Sequence, residues 1–147
     1  MIRVALDGMG SDHAPAAEVE GAALALTELP ATFRVQLVGR PEVLEPELAK
    51  HPDIDRARLE VVAAPDVIEM DERPLQAVRK KPNSSLVVGL ALQKAGKSDA
   101  YVSAGNTGAV LAAATLMLGL HEGVKRASVA TPFPTADGAV LVIDGLR

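Results

Sequence analysis

Cysteine and tryptophan are absent from the 147 residues, and aromatic side chains make up only 2% of them. The missing thiols exclude a cysteine nucleophile, a disulfide framework and a thiolate metal site, and they suit a cytoplasmic protein. So few rings leave no stacking platform for single-stranded nucleic acid. The net charge is −4, with 15 Lys and Arg against 19 Asp and Glu. A general nucleic-acid binder is excluded on that balance. Long apolar runs are missing too. The longest, residues 109–120, carries Thr115 and Gly119 and falls short of the roughly 20 residues that cross a bilayer. The first residues read as a strand and lack the basic-then-apolar layout of a signal peptide.

What is present is a repeated alternation. "IRVAL" (2–6) predicts a strand ending at Asp7, and "GMGSDHAP" a loop. Val19, Ala22, Ala23, Leu26 and Leu29 recur at helical spacing from Pro15 to Leu29. "FRVQLVG" (33–39) and "RLEVVAA" (58–64) read as strands flanking a short helix over 41–50. Residues 65–82 are charged and broken by Pro65, Pro74 and Pro82, and read as an irregular excursion. Ser84 and Ser85 then offer caps for a helix that stops at Gly96. "DAYVS" (99–103) is a fourth strand, followed by a buried helix over 109–119. Further strands are expected over 127–132 and 138–144. Strand and helix in alternation predict one α/β domain over 1–147, three layers deep, with a mostly parallel sheet.

Ligands of such sheets sit beyond the carboxyl ends of the strands, and three segments there carry chemistry. In "YVSAGNTGA" (101–109), Gly105 and Gly108 let the backbone approach a ligand. Ser103, Asn106 and Thr107 add donors at a helix start, a setting for an anion. A capped tight turn without ligand is the plainer alternative. "DGMGSDHAP" (7–15) sets Asp7, Asp12 and His13 around glycines. His13 has the chemistry of a general acid or base; alternatively Asp12 caps the helix and His13 is solvated. The spacing suits no metal site. "RKKPNSS" (79–85) places Lys81 among cations before Ser84 and Ser85, favourable for an anion or else a solvated basic patch. A nucleotide-binding first turn is disfavoured, because "GMGSDH" lacks the third glycine and Asp12 opposes a pyrophosphate.

Together and in this order, the stretches "DGMGSDHAP" with "VEGA", "MDERPLQAVRKKPNSS" and "DAYVSAGNTGA" resemble the bacterial phosphate acyltransferases of phospholipid synthesis, from residue 2 to about residue 131. Gly8 and Ser11 are this chain's own small-for-small variants of the family's Asp-Ala-Met-Gly-Gly-Asp-His-Ala-Pro. Family members continue past "VLVID" with a Val-Gly-Ala-Asn turn. Here Asp144 is followed by Gly145, Leu146 and Arg147, so the resemblance is to a truncated, N-terminal half.

The resemblance implies a fold like that of isocitrate and isopropylmalate dehydrogenases, a homodimer, and no cofactor or metal. It implies transfer of a fatty acyl group from acyl carrier protein to inorganic phosphate, with the acyl phosphate passed to a membrane glycerol-3-phosphate acyltransferase. It further implies a cytoplasmic protein working at the inner face of the membrane. Phosphate or the developing oxyanion is then expected at Ser103–Gly108. Lys81, Ser84 and Ser85 would neutralise charge, and His13, oriented by Asp7 or Asp12, would handle the departing thiol's proton. Acyl carrier protein is acidic, so its docking needs a local basic patch, for which Arg79, Lys80, Lys81, Lys94 and Lys97 are candidates. Two alternatives stay open: a phosphate acetyltransferase-like enzyme, and an inactive fragment that binds phosphate or a partner.

Overall fold

The computed structural model describes residues 1–144; the departure from the family pattern at Gly145–Arg147 lies outside them. The elements run β1 (Ile2–Asp7), α1 (Ala16–Glu28), β2 (Phe33–Gly39), α2 (Pro41–Leu48), a 3-10 turn (Arg56–Arg58) and β3 (Leu59–Ala63). They continue with α3 (Pro74–Lys80), α4 (Ser85–Lys94), β4 (Ala100–Val102), α5 (Thr107–Met117), β5 (Val129–Thr135) and β6 (Gly138–Asp144). The α/β class and the parallel sheet are as expected. Four strands lie in the order β3-β2-β1-β4, all parallel.

Alternation along β2 sorts the two faces, since successive side chains of a strand point oppositely. Val35 and Leu37 join α1 and α2 in one core with Val19, Leu26, Leu44 and Leu48. Val38 faces the other way with Ala5 and Ala64, packed under Val88 and Leu92 of α4. A third cluster ties α3, α4 and α5 together through Ala77, Val78, Leu86, Leu90, Ala109 and Ala113. With almost no rings available, these contacts are aliphatic and close, and glycine sets some of the distances. A Cβ on Gly108 would lie 2.7 Å from Pro74 Cγ, so α5 approaches α3 only because that side chain is missing.

Two expectations need correction. The excursion 65–82 contains α3, a helix with Pro74 at its first position, where proline's missing N–H costs nothing. The last two strands do not extend the parallel sheet. They form a separate antiparallel pair, in register from Val129↔Asp144 to Thr135↔Gly138. Phe133, Val140, Leu141 and Ile143 on this pair are exposed. No helix among the described residues is long and apolar enough to cross a membrane.

Candidate functional site at the sheet's switch point

β1 and β4 are neighbours, yet β1 leads to α1 on one face and β4 to α5 on the other. Such a reversal opens a crevice at the strands' carboxyl ends, the usual ligand site of doubly wound sheets. The loops 8–15 and 103–106 flank it.

Asp7, the last residue of β1, is 1% exposed. Its Oδ1 accepts the Met9 amide at 3.1 Å, and its Oδ2 accepts the Ser103 hydroxyl at 2.8 Å and the Tyr101 hydroxyl at 3.4 Å. Ser103 Oγ in turn accepts the Gly105 amide at 3.0 Å. Burial, followed by the charge of Asp7, pushes the Tyr101 phenol well above its ordinary range, so it stays a neutral donor. The two loops meet backbone to backbone. A Cβ on Gly10 would lie 2.8 Å from Asp7 Oδ2 and 2.9 Å from the Gly105 nitrogen. Glycine at position 10 is therefore a condition of the joint.

Asn106 links this joint to a third segment. Its Oδ1 caps α5 by accepting the Ala109 amide at 3.0 Å. Its Nδ2 donates to the carbonyls of Glu69, Met70 and Glu72, each at 3.2 Å. Lys81 holds the same segment from behind, with Nζ 2.5 Å from Glu72 Oε2 and 2.7 Å from the Val67 carbonyl. That hydrogen bond, with the Glu69 amide, holds the Glu72 carboxyl below the usual carboxylate range. Between the segment and the first loop lies a cleft of ≈ 390 Å³ lined by Met9–Asp12 and Ile68–Asp71.

The predicted residues thus divide. Asp7, Ser103, Gly105 and Asn106 meet at the switch point, with Thr107 and Gly108 starting the helix behind them. Among the described residues, the amides of Gly10, Ala104, Thr107 and Gly108 take no protein acceptor. Asp12 and His13 are exposed on the rim. The His13 amide donates to Ser11 Oγ at 3.2 Å, while the Asp7 carboxylate is turned to Ser103 and not to the imidazole. Lys81 is ion-paired. Ser84 caps α4, accepting the Val87 amide at 3.4 Å, and both Ser84 and Ser85 are buried. The cleft lining itself includes Asp12, Glu69 and Asp71 and no lysine or arginine. The unpaired amides of Ala104, Thr107 and Gly108 lie outside that lining.

Sequence reasoning missed Glu18, Tyr101 and the clamp on 69–72. Glu18 is 6% exposed and its Oε1 accepts the Ser11 amide at 2.8 Å, fixing the first loop from α1. Its signal was available: it sits one turn before Ala22 on the apolar side of the helix.

Comparison with known proteins adds an independent line. A sequence family described as "Fatty acid synthesis protein" matches residues 2–147. The phosphate acyltransferase of Heliobacterium modesticaldum is 48% identical over 143 residues, covering 97% of this chain and 42% of that protein. That of Salinibacter ruber is 47% identical over 142 residues, with the same coverage of 97% and 42%. That of Herpetosiphon aurantiacus is 45% identical over 143 residues, 97% of this chain and 38% of that protein. The chain thus spans about two-fifths of the length of the curated relatives it matches. The family match over residues 2–147 places the chain in the fatty acid synthesis protein family.

Proposed function

We propose that this chain supplies the phosphate-binding part of an acyltransferase that moves a fatty acyl group from the thioester of acyl carrier protein to inorganic phosphate. The observation that carries the reading is the set of unpaired amides at Gly10, Ala104, Thr107 and Gly108, on and just after two loops that touch at Gly10 and Gly105. Preorganised N–H groups beside a helix start suit an oxyanion. The names of the relatives supply the reaction class.

The chemistry asks little of a base. A substantial share of phosphate is already dianionic near neutral pH, its second ionisation lying not far above that of phosphate monoesters. One of its oxygens attacks the thioester carbonyl carbon, the carbonyl oxygen becomes an oxyanion held by the amides, and the C–S bond then breaks. His13 delivers the proton taken by the departing sulfur. Asp7 sets the Ser103–Gly105 turn, and Asn106 and Lys81 hold the 67–72 wall. No acyl-enzyme is required. Because the cleft lining is acidic, the remaining neutralising charge comes from outside it, from chain beyond the matched part or from a second protomer of a homodimer. Exposed Arg79, Lys80, Lys94 and Lys97 offer the positive surface for acidic acyl carrier protein, a contact that rising salt would weaken. The product acyl phosphate passes to a membrane glycerol-3-phosphate acyltransferase, with the enzyme in the cytoplasm at the inner membrane face.

The test is a chimera in which this chain replaces the matched residues of the Heliobacterium protein. It is expected to form acyl phosphate from acyl carrier protein thioester and phosphate, and Gly10→Ala is expected to abolish that activity. A folded chimera that forms no acyl phosphate, or whose rate ignores Gly10→Ala, overturns the reading.

A further inference from the structure

On the face of the sheet that carries α1 and α2, β2 and β3 are covered, while β1 and β4 are covered only in part. The result is an apolar groove of ≈ 390 Å³ whose walls include Val4, Leu6, Val35 and Val102 on the sheet and Ala17 and Gly21 on α1. Parallel sheets have both faces buried. Val102 nonetheless remains 50% exposed, and β4 is an edge of the sheet among the described residues.

Two observations describe what the groove lacks. Gly21 stands in the interior of α1, where glycine weakens a helix. A Cβ built on it meets nothing within 4 Å, and its φ is not positive, so neither local packing nor backbone conformation calls for glycine. What the missing side chain permits is close approach by another backbone. Independently, Glu18 lines the same groove, and its Oε2 is buried with no hydrogen-bond partner although Oε1 holds the Ser11 amide. A buried carboxylate oxygen needs a donor.

We infer that this groove is the seat of a helix from the part of the family's chain that lies beyond the matched region, packed against α1 at Gly21 and bringing a hydrogen-bond donor to Glu18 Oε2. The relatives have the chain to supply it, since the matched 143 residues are 42% of the Heliobacterium protein. A fatty chain in the groove would leave the carboxylate oxygen unsatisfied. A second copy seated face to face would bring the same apolar wall with the hydroxyls of Ser11 and Ser103, and the oligomeric state of the chain alone separates that occupant. The inference rests on family membership and not on the proposed reaction.

Gly21→Leu tests it in two proteins, this chain alone and the chimera described above. Alone, the thermal midpoint holds or rises, because leucine is the better helix former and has open space. In the chimera the new side chain collides with the seated helix, and the midpoint falls by on the order of 4 °C or more. Hydrogen exchange gives a second readout: amides of residues 100–104 exchange at least about tenfold more slowly in the chimera than in the chain alone. If the chimera fails to fold, the matching strand of the natural Heliobacterium protein is measured against this chain in its place. A midpoint indifferent to Gly21→Leu in the chimera, or equal exchange in the two proteins, overturns the inference. So does a concentration-dependent dimer of the chain alone that Gly21→Leu dissociates, which identifies a second copy as occupant. Fatty acid binding to the chimera that Gly21→Leu removes likewise overturns it, in favour of an acyl ligand.

Discussion

The Ser103 hydroxyl donates to Asp7 Oδ2 at 2.8 Å, joining the ends of two strands that stand 96 residues apart in the chain. The bond spans the crevice between β1 and β4 and is continued by the Gly105 amide on Ser103 Oγ. A buried carboxylate here organises two loops at once, holding the Met9 amide of one and the Ser103 hydroxyl of the other.

Removing that carboxylate leaves the Met9 amide and two hydroxyls short of an acceptor. Asp7→Ala is expected to destabilise the chain by on the order of 3 kcal/mol, as hydrogen bonds to a buried charged group are lost together. Ser103→Ala should cost about 1–2 kcal/mol. Because the two side chains touch, the double variant should cost less than the sum, with a coupling of about 1 kcal/mol or more. Urea unfolding of the four proteins checks this, and strict additivity would show that the contact carries no weight.

Asn106 serves two segments through different atoms, so its roles separate by substitution. Asn106→Ala removes both the α5 cap, worth about 1 kcal/mol, and the clamp on 69–72. Asn106→Asp keeps a good cap but turns a second carboxylate oxygen toward three carbonyls. Hydrogen exchange is expected to quicken in 69–72 for both variants, and in the first turn of α5 for the alanine variant alone. Equal protection of 69–72 in Asn106→Asp would mean that the three carbonyl contacts do not hold that loop.

Much of this was legible in the residues. The apolar spacing of α1, the alternation along β2 and the cap at Ser84 are local signals, and the elements follow them. The crevice was legible as a class of site, because parallel sheets place ligands at strand ends. The partners of each side chain were not. Whether Lys81 faces an anion or Glu72 depends on the fold of 67–72, where charge and proline obscure the seven-residue α3. Whether Gly108 serves a ligand or the approach of Pro74 is a distance between helices, which no spacing in the chain reveals. The pairing of β5 with β6 outside the main sheet is likewise a long-range choice that strand propensity leaves open.

The helix-interior glycines of α1 and α4 should respond with opposite signs. At Gly89 an added Cβ runs into the ring of Tyr101, whose hydroxyl reaches Asp7. Gly89→Ala is therefore expected to destabilise by about 1–3 kcal/mol through overpacking. Gly21→Ala in this chain meets open space and should stabilise by about 0.5–1 kcal/mol. Denaturation midpoints of the two variants decide it, and a loss of stability at both positions would contradict the packing described for α1.

Acid should release one tie at the opposite end of the sheet. Arg3 at the start of β1 donates Nε and Nη2 to Asp99 at 3.1 and 2.9 Å, and its amide donates to the same carboxylate at 2.8 Å. These bonds, the side-chain one foremost, lower the Asp99 carboxyl from 3.8 to about 2. A carboxyl depressed on folding stabilises the folded state fully above its unfolded value, and that contribution is lost as pH falls through its folded value. The stability difference between wild type and Asp99→Asn should therefore be constant above about pH 5, shrink between pH 4 and pH 2, and vanish below. The pair is solvent-facing, so the difference should be modest and should fall further with added salt. Urea midpoints of the two proteins across that pH range isolate Asp99 from the other carboxyls. A difference that persists unchanged at pH 2 would mean that the charged carboxylate is not what Arg3 holds.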